Sequence, residues 1–261
     1  LPGSAGLVST ADSLQDGGLL TNGDLSLSGG LLTVDADLLV DAQGGHVLMQ
    51  SSDLSSTGGG ITVAGGQISL ADSQLSVTSD IAAAGNIRLQ ASGDALLTNS
   101  QLLASGAEAG SIQVLGQRIG VVSSHLEANG LNGGGSVQVG GGYQGASLGG
   151  PNSTYTWIGP GSVLAANALK QGNGGLVVAW SDRDTVFYGG VEAKGGPEGG
   201  NGGLMEVSGK QRLSFSGVAD ATAPSGSAGS LLLDPGDLYV ANAPGPVGLS
   251  QLTTNPFATP N

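Results

Sequence analysis

The chain contains no cysteine, which excludes disulfide staples, thiolate metal centres and cysteine nucleophiles. Aromatic side chains make up only 3% of its 261 residues. Interior volume must therefore come from Leu, Val, Ile and Ala, which suits a narrow core extended along one axis. Basic residues are scarce too, seven against 20 acidic, for a net charge of −13. None precedes Arg88, whereas nine Asp do. Nucleic acid and anionic lipid both select basic surfaces, so neither is an expected partner. No apolar run approaches the ~20 residues of a membrane helix, so no membrane insertion is expected. Leu1 opens without a charged or apolar leader, so a signal peptide would lie upstream or have been removed, and the chain reads as an excerpt of something longer.

What is abundant is glycine, 50 residues, recurring too often for long helices. Between the glycines runs a beat. Leu25, Val47, Ile68, Ile87, Ile112, Val137, Val177, Met205 and Leu231 each open a short alternating segment after a turn, at separations of 22, 21, 19, 25, 25, 40, 28 and 26. A period in the twenties is the mark of stacked repeats, each burying its apolar face against its neighbours. Two further strands fit between most anchors: Leu32 and Leu38, Leu54 and Ile61, Leu75 and Ile81, Leu96 and Leu102, Ile119 and Leu126. Three strands per turn, stacked in parallel, predict an all-β fold, a β-helix (β-solenoid) of nine or ten coils across residues 1–240. Alternation in Ile87-Arg88-Leu89-Gln90, Ile112-Gln113-Val114 and Val137-Gln138-Val139 points Arg88, Gln90, Gln113 and Gln138 outward.

The 40-residue interval implies a loop insertion near residues 141–158, which holds Tyr143, Tyr155 and Trp157. Insertions in solenoids collect on one face, often the binding face, and these three are the candidate surface-contact residues for a glycan or protein receptor. Covering an apolar seam is the plainer role for the same rings. Residues 241–261 hold four of the ten prolines and read as a linker or cap.

Catalytic signals are weak. His46 and His125 lack carboxylates at metal-ligand spacing, HExxH and Gly-x-Ser-x-Gly are missing, and neither a metal nor a cofactor is expected. Asp182 and Asp184 have the same-face spacing of a strand, which leaves one alternative: a carbohydrate-binding or polysaccharide-cleaving β-helix using this pair and the aromatic insertion. The favoured expectation is no enzyme and no catalytic residue, but a structural rod whose open ends stack between molecules.

Three stretches carry a resemblance. They are Gly174-Gly175-Leu176-Val177-Val178-Ala179-Trp180-Ser181-Asp182 followed by Phe187-Tyr188-Gly189-Gly190-Val191-Glu192-Ala193-Lys194-Gly195-Gly196, then Gly202-Gly203-Leu204-Met205-Glu206-Val207-Ser208-Gly209-Lys210, and Leu231-Leu232-Leu233-Asp234-Pro235-Gly236-Asp237-Leu238-Tyr239-Val240. In this order they resemble the shaft of filamentous haemagglutinin-like exoproteins of the bacterial two-partner secretion class. The resemblance covers residues 157–240; upstream coils share only its texture. It implies a right-handed helix, passage through an outer-membrane partner barrel, and an adhesin or matrix fibre, secreted or held at the bacterial cell surface. The family's Asn-Pro-Asn secretion motif is missing, Asn255-Pro256-Phe257 being the nearest, so what the resemblance implies is a shaft excerpt.

Overall fold

The computed structural model describes residues 8–9, 13–15 and 18–236. The chain winds as a right-handed parallel β-solenoid of about eight coils, each contributing one strand to each of three sheets. At about 4.8 Å per coil this gives a body ~38 Å long. Sheet one runs from Leu25–Ser28 to Arg212–Phe215, sheet two from Leu31–Val34 to Val218–Asp220, and sheet three from Gly18–Leu20 to Ser230–Leu232. Antiparallel strands cap two sheets at the N-terminal end: Val8–Ser9 pairs with sheet one, and Ser13–Gln15 with sheet three.

The core is a set of vertical aliphatic columns. Leu38, Ile61, Ile87, Ile112, Val137, Val177, Met205 and Leu231 stand in register up sheet three. Leu32, Leu54, Leu75, Leu102, Leu126, Leu164 and Val191 do the same up sheet two. Period-two alternation alone produces this, since each inward residue meets its equivalent one coil away. Ile87, Leu89, Ile112, Val114, Val137 and Val139 are fully buried, and Arg88, Gln90, Gln113 and Gln138 point outward, as expected.

Register departs from expectation at one place. The 19-residue step from Ile68 to Ile87 is not a coil: Ile68 stands in sheet one, paired with Ala95, and Ile87 in sheet three, paired with Ile61. Ile81, expected to open a third strand, lies inside the ten-residue strand Gln74–Ala83 of sheet two, and the third strand of that coil is Asn86–Ala91. The extended strand absorbs residues that a corner would otherwise take, so the beat changes sheet and overcounts the coils. In the next strand the inward pair is Ala95 and Leu97, with Leu96 turned outward. The proposed linker 241–261, Leu1 and the Asp237–Val240 part of the third resembling stretch lie outside the described residues.

A chain of serines holds the corner between sheets one and two. The backbone N–H of Ser52 donates to Ser73 Oγ at 3.1 Å, Ser73 to Ser100 Oγ at 3.2 Å, Ser100 to Ser124 Oγ at 3.0 Å and Ser124 to Ser162 Oγ at 3.4 Å. The hydroxyls of Ser73, Ser100 and Ser124 donate to a carbonyl of the preceding strand, Ala71 O, Thr98 O and Val122 O, and that of Ser162 donates to Val121 O on the neighbouring coil. All five serines are buried. The residue before each one, Ser51, Asp72, Asn99, Ser123 or Gly161, takes left-handed φ, between 47° and 74°, which aims the next N–H along the axis. A second chain uses amides between sheets two and three: Asn129 Oδ1 accepts from Asn167 N–H and Asn167 Oδ1 from Lys194 N–H, both at 2.8 Å.

Two outcomes check this architecture. Ser100→Ala strands the buried N–H of Ser73 and should lower unfolding free energy by about 1–3 kcal/mol in urea titration, whereas Ser69→Ala on the outer face should change it by less than about 0.5 kcal/mol. Ile112→Asp places an unpaired charge in the core and should prevent cooperative melting, while Gln113→Asp, beside Arg88, should leave the melting temperature within a few degrees.

Candidate contact surface

Sheet one carries an aromatic seam on its outer face. In the strand Tyr155–Ile158, alternation turns Tyr155 and Trp157 outward. Trp157 pairs in register with Gly120 below and Val186 above; the missing side chain at Gly120 makes room for the indole. Tyr188 meets it edge to face, with ring centroids 5.4 Å apart at 78°. Val122, Tyr155 and Tyr188 close the cluster, and Trp157 is left 4% exposed. Of the three aromatic residues expected to form a contact surface, Tyr155 and Trp157 come together, joined by Tyr188. Tyr143 does not: it lies in a short 3-10 turn, Tyr143–Gly145, over sheet three.

A polar column borders the seam. Asp94, Arg118, Tyr155, Asp184 and Arg212 occupy one register line on successive coils. Arg118 forks onto Asp94. Arg212 holds Asp184 through two bonds of 2.7 Å, and Asp184 is 7% exposed. Burial, reinforced by the Asp184 charge, pushes the Tyr155 phenol up to about 12. Its hydroxyl therefore stays neutral across the physiological range.

The expected same-face placement of Asp182 and Asp184 on one strand does not hold. The sheet-three strand ends at Ser181, the sheet-one strand begins at Asp184, and the residues between them turn the corner. The two carboxylates consequently serve different sheets. Asp182 accepts from Trp180 Nε1 at 3.0 Å and from Asn152 Nδ2 at 3.3 Å, while Asp184 is committed to Arg212.

The insertion itself is a strap across the outer face of sheet three. It leaves the strand Ser136–Val139 and returns at Tyr155, where the coil below needs only Gly116 and Gln117 for the same corner. Arg88 donates to Leu148 O at 2.9 Å at one end, and Gln144 N–H donates to Glu206 Oε2 at 2.7 Å at the other. Beneath the strap lie Val178, Trp180 and Glu206, all outward-facing yet buried. Below it, the face opens into two troughs of about 680 and 580 Å³, one lined by Thr62, Arg88 and Gln113, the other by Gln90, Leu115 and Pro151. Among the described residues no three His, Asp or Glu side chains gather to hold a metal ion.

The geometry defines a class, a three-sided parallel β-solenoid with one decorated face and one strapped face. No family model matches the chain, and no curated protein matches it. Among solved structures, the HMW1 secretion domain from Haemophilus influenzae is similar, with 13% identity over 89% of this chain and 100% of that chain, at a TM-score of 0.43.

Two measurements test the surface. Arg212→Met abandons a nearly buried carboxylate and should destabilise by about 1–3 kcal/mol, with most of the loss recovered in the double variant carrying Asp184→Asn. In alkaline difference spectroscopy the last tyrosine to ionise should be absent from Tyr155→Phe.

Proposed function

We propose that this chain is a rigid rod segment of a secreted adhesin or matrix fibre of the filamentous haemagglutinin-like class, delivered to the bacterial surface through an outer-membrane partner barrel. The observation that supports it most is the continuous coil-to-coil strand pairing of the three sheets from Leu25 to Leu232, a geometry suited to spacing a contact surface away from its anchor. The resemblance of residues 157–240 supplies the class and the export route. On this reading the rod has no turnover, since Asp182 and Asp184 are each satisfied by other side chains. Its contact surface is formed by the half-buried Tyr155 and Tyr188, which cover Trp157, and a surface glycan or protein receptor is its partner. End-to-end stacking would have to use the other end or sheet two, because antiparallel strands already pair sheets one and three at the N-terminal end.

A glycan array, with a reducing-sugar assay on the same ligands, tests the reading. Binding that falls at least about tenfold in Tyr188→Ala, with no sugar released, is the expected result. Sugar release abolished by Asp182→Asn would replace the rod with the enzymatic alternative.

A further inference from the structure

Among the described residues, Glu206 holds the one buried side-chain polar atom without a hydrogen-bond partner. It faces outward from the strand Leu204–Gly209, yet the strap leaves it 0% exposed. Oε2 accepts the Gln144 N–H, and Oε1 has no partner. Among the described residues no cation forms an ion pair with it. The strap above bends through four left-handed residues, Gly140, Gln144, Gly145 and Gly149. Gln144 is the one without glycine's freedom, with φ 53°, and it is the residue whose amide meets the carboxyl.

We propose that Glu206 is a proton-operated latch for the strap: protonated, it lets the strap close over Val178 and Trp180, and ionised, it favours lifting. A buried carboxylate with one oxygen lacking a donor carries a desolvation cost that a neutral carboxyl largely avoids. Lifting the strap removes that cost by admitting water to Oε1. Around the site stand Asp234, Asp182 and Lys210, which share one 370 Å³ cavity with Gln144 and Trp180, and Tyr143, the strap's own titratable residue. Burial raises the carboxyl above its ordinary range and the Asp234 charge adds to this, while the Gln144 amide and the proximity of the Ser208 hydroxyl, which closes no hydrogen bond to Oε1, pull the other way. The sign follows from linkage. The closed state binds the proton more tightly than the open state, so closure is fully favoured below the ordinary carboxylate value. It is lost as pH rises towards the raised value. Lifting would uncover Val178 and Trp180, which the closed strap buries.

Hydrogen exchange of residues 140–150 in the intact chain, between pH 4 and 8 and corrected for the intrinsic chemical rate, tests the latch. The opening constant should rise by up to about tenfold per pH unit across the window between the two carboxyl values. Glu206→Gln should stay closed with no such rise, and Asp234→Asn should move the rise to lower pH. A flat wild-type profile overturns the proposal, as does a wild-type slope retained in Glu206→Gln. Should that variant fail to fold, an unmoved midpoint in Asp234→Asn overturns it instead.

Discussion

Everything in this molecule depends on each coil starting its strands directly above those of the coil below. Parallel strands joined through corners gain nothing from a hairpin turn, so their register must be set by the corners. The serine chain does this at the boundary of sheets one and two. A left-handed residue turns the backbone, the following serine sinks inward, and its hydroxyl receives the N–H of the coil before it. One residue of slip would exchange the buried and exposed faces of every strand that follows. The asparagine chain at the next corner performs the same task in the later coils, where glycine-rich corners are longer.

With register fixed, the outer faces become free for other duties, and two of them have been used differently. On sheet one, vertical alignment converts ordinary strand positions into lines of interacting side chains: an alternating charge column interrupted by Tyr155, and beside it an indole seated above a glycine. On sheet three, a corner that takes two residues in most coils has been lengthened into a strap that buries a tryptophan, a valine and a carboxyl. Neither arrangement disturbs the core, which explains how a repetitive scaffold accommodates local specialisation.

Much of this was legible in the sequence. The column from Ile87 to Leu231 is the beat itself, and the outward set Arg88, Gln90, Gln113 and Gln138 followed from alternation. The loss of phase at Ile81 came from a strand that outlasts its neighbours, which period-two patterning cannot distinguish from two short strands. Asp182 and Asp184 were misjudged because alternation was carried across a corner that no glycine or proline marks. Burial of Trp157 and the entry of Tyr188 depend on which residues stand one coil above and below, so both needed the correct step length for that coil. The serine chain did leave a trace, the pairs Ser51-Ser52, Asp72-Ser73, Asn99-Ser100 and Ser123-Ser124 at the same place in successive repeats. It is a polar signal, and a search for apolar periodicity passes over it.

The strap has one more consequence. A stack in which each lap touches only its neighbours peels one lap at a time when pulled along its axis. Here a single segment is tied to Arg88 at one end and Glu206 at the other, bridging five sheet-three strands, from Asn86–Ala91 to Leu204–Gly209. Tension reaching this stretch is shared across the bridge, so the middle of the molecule resists as a block while the laps on either side give way singly.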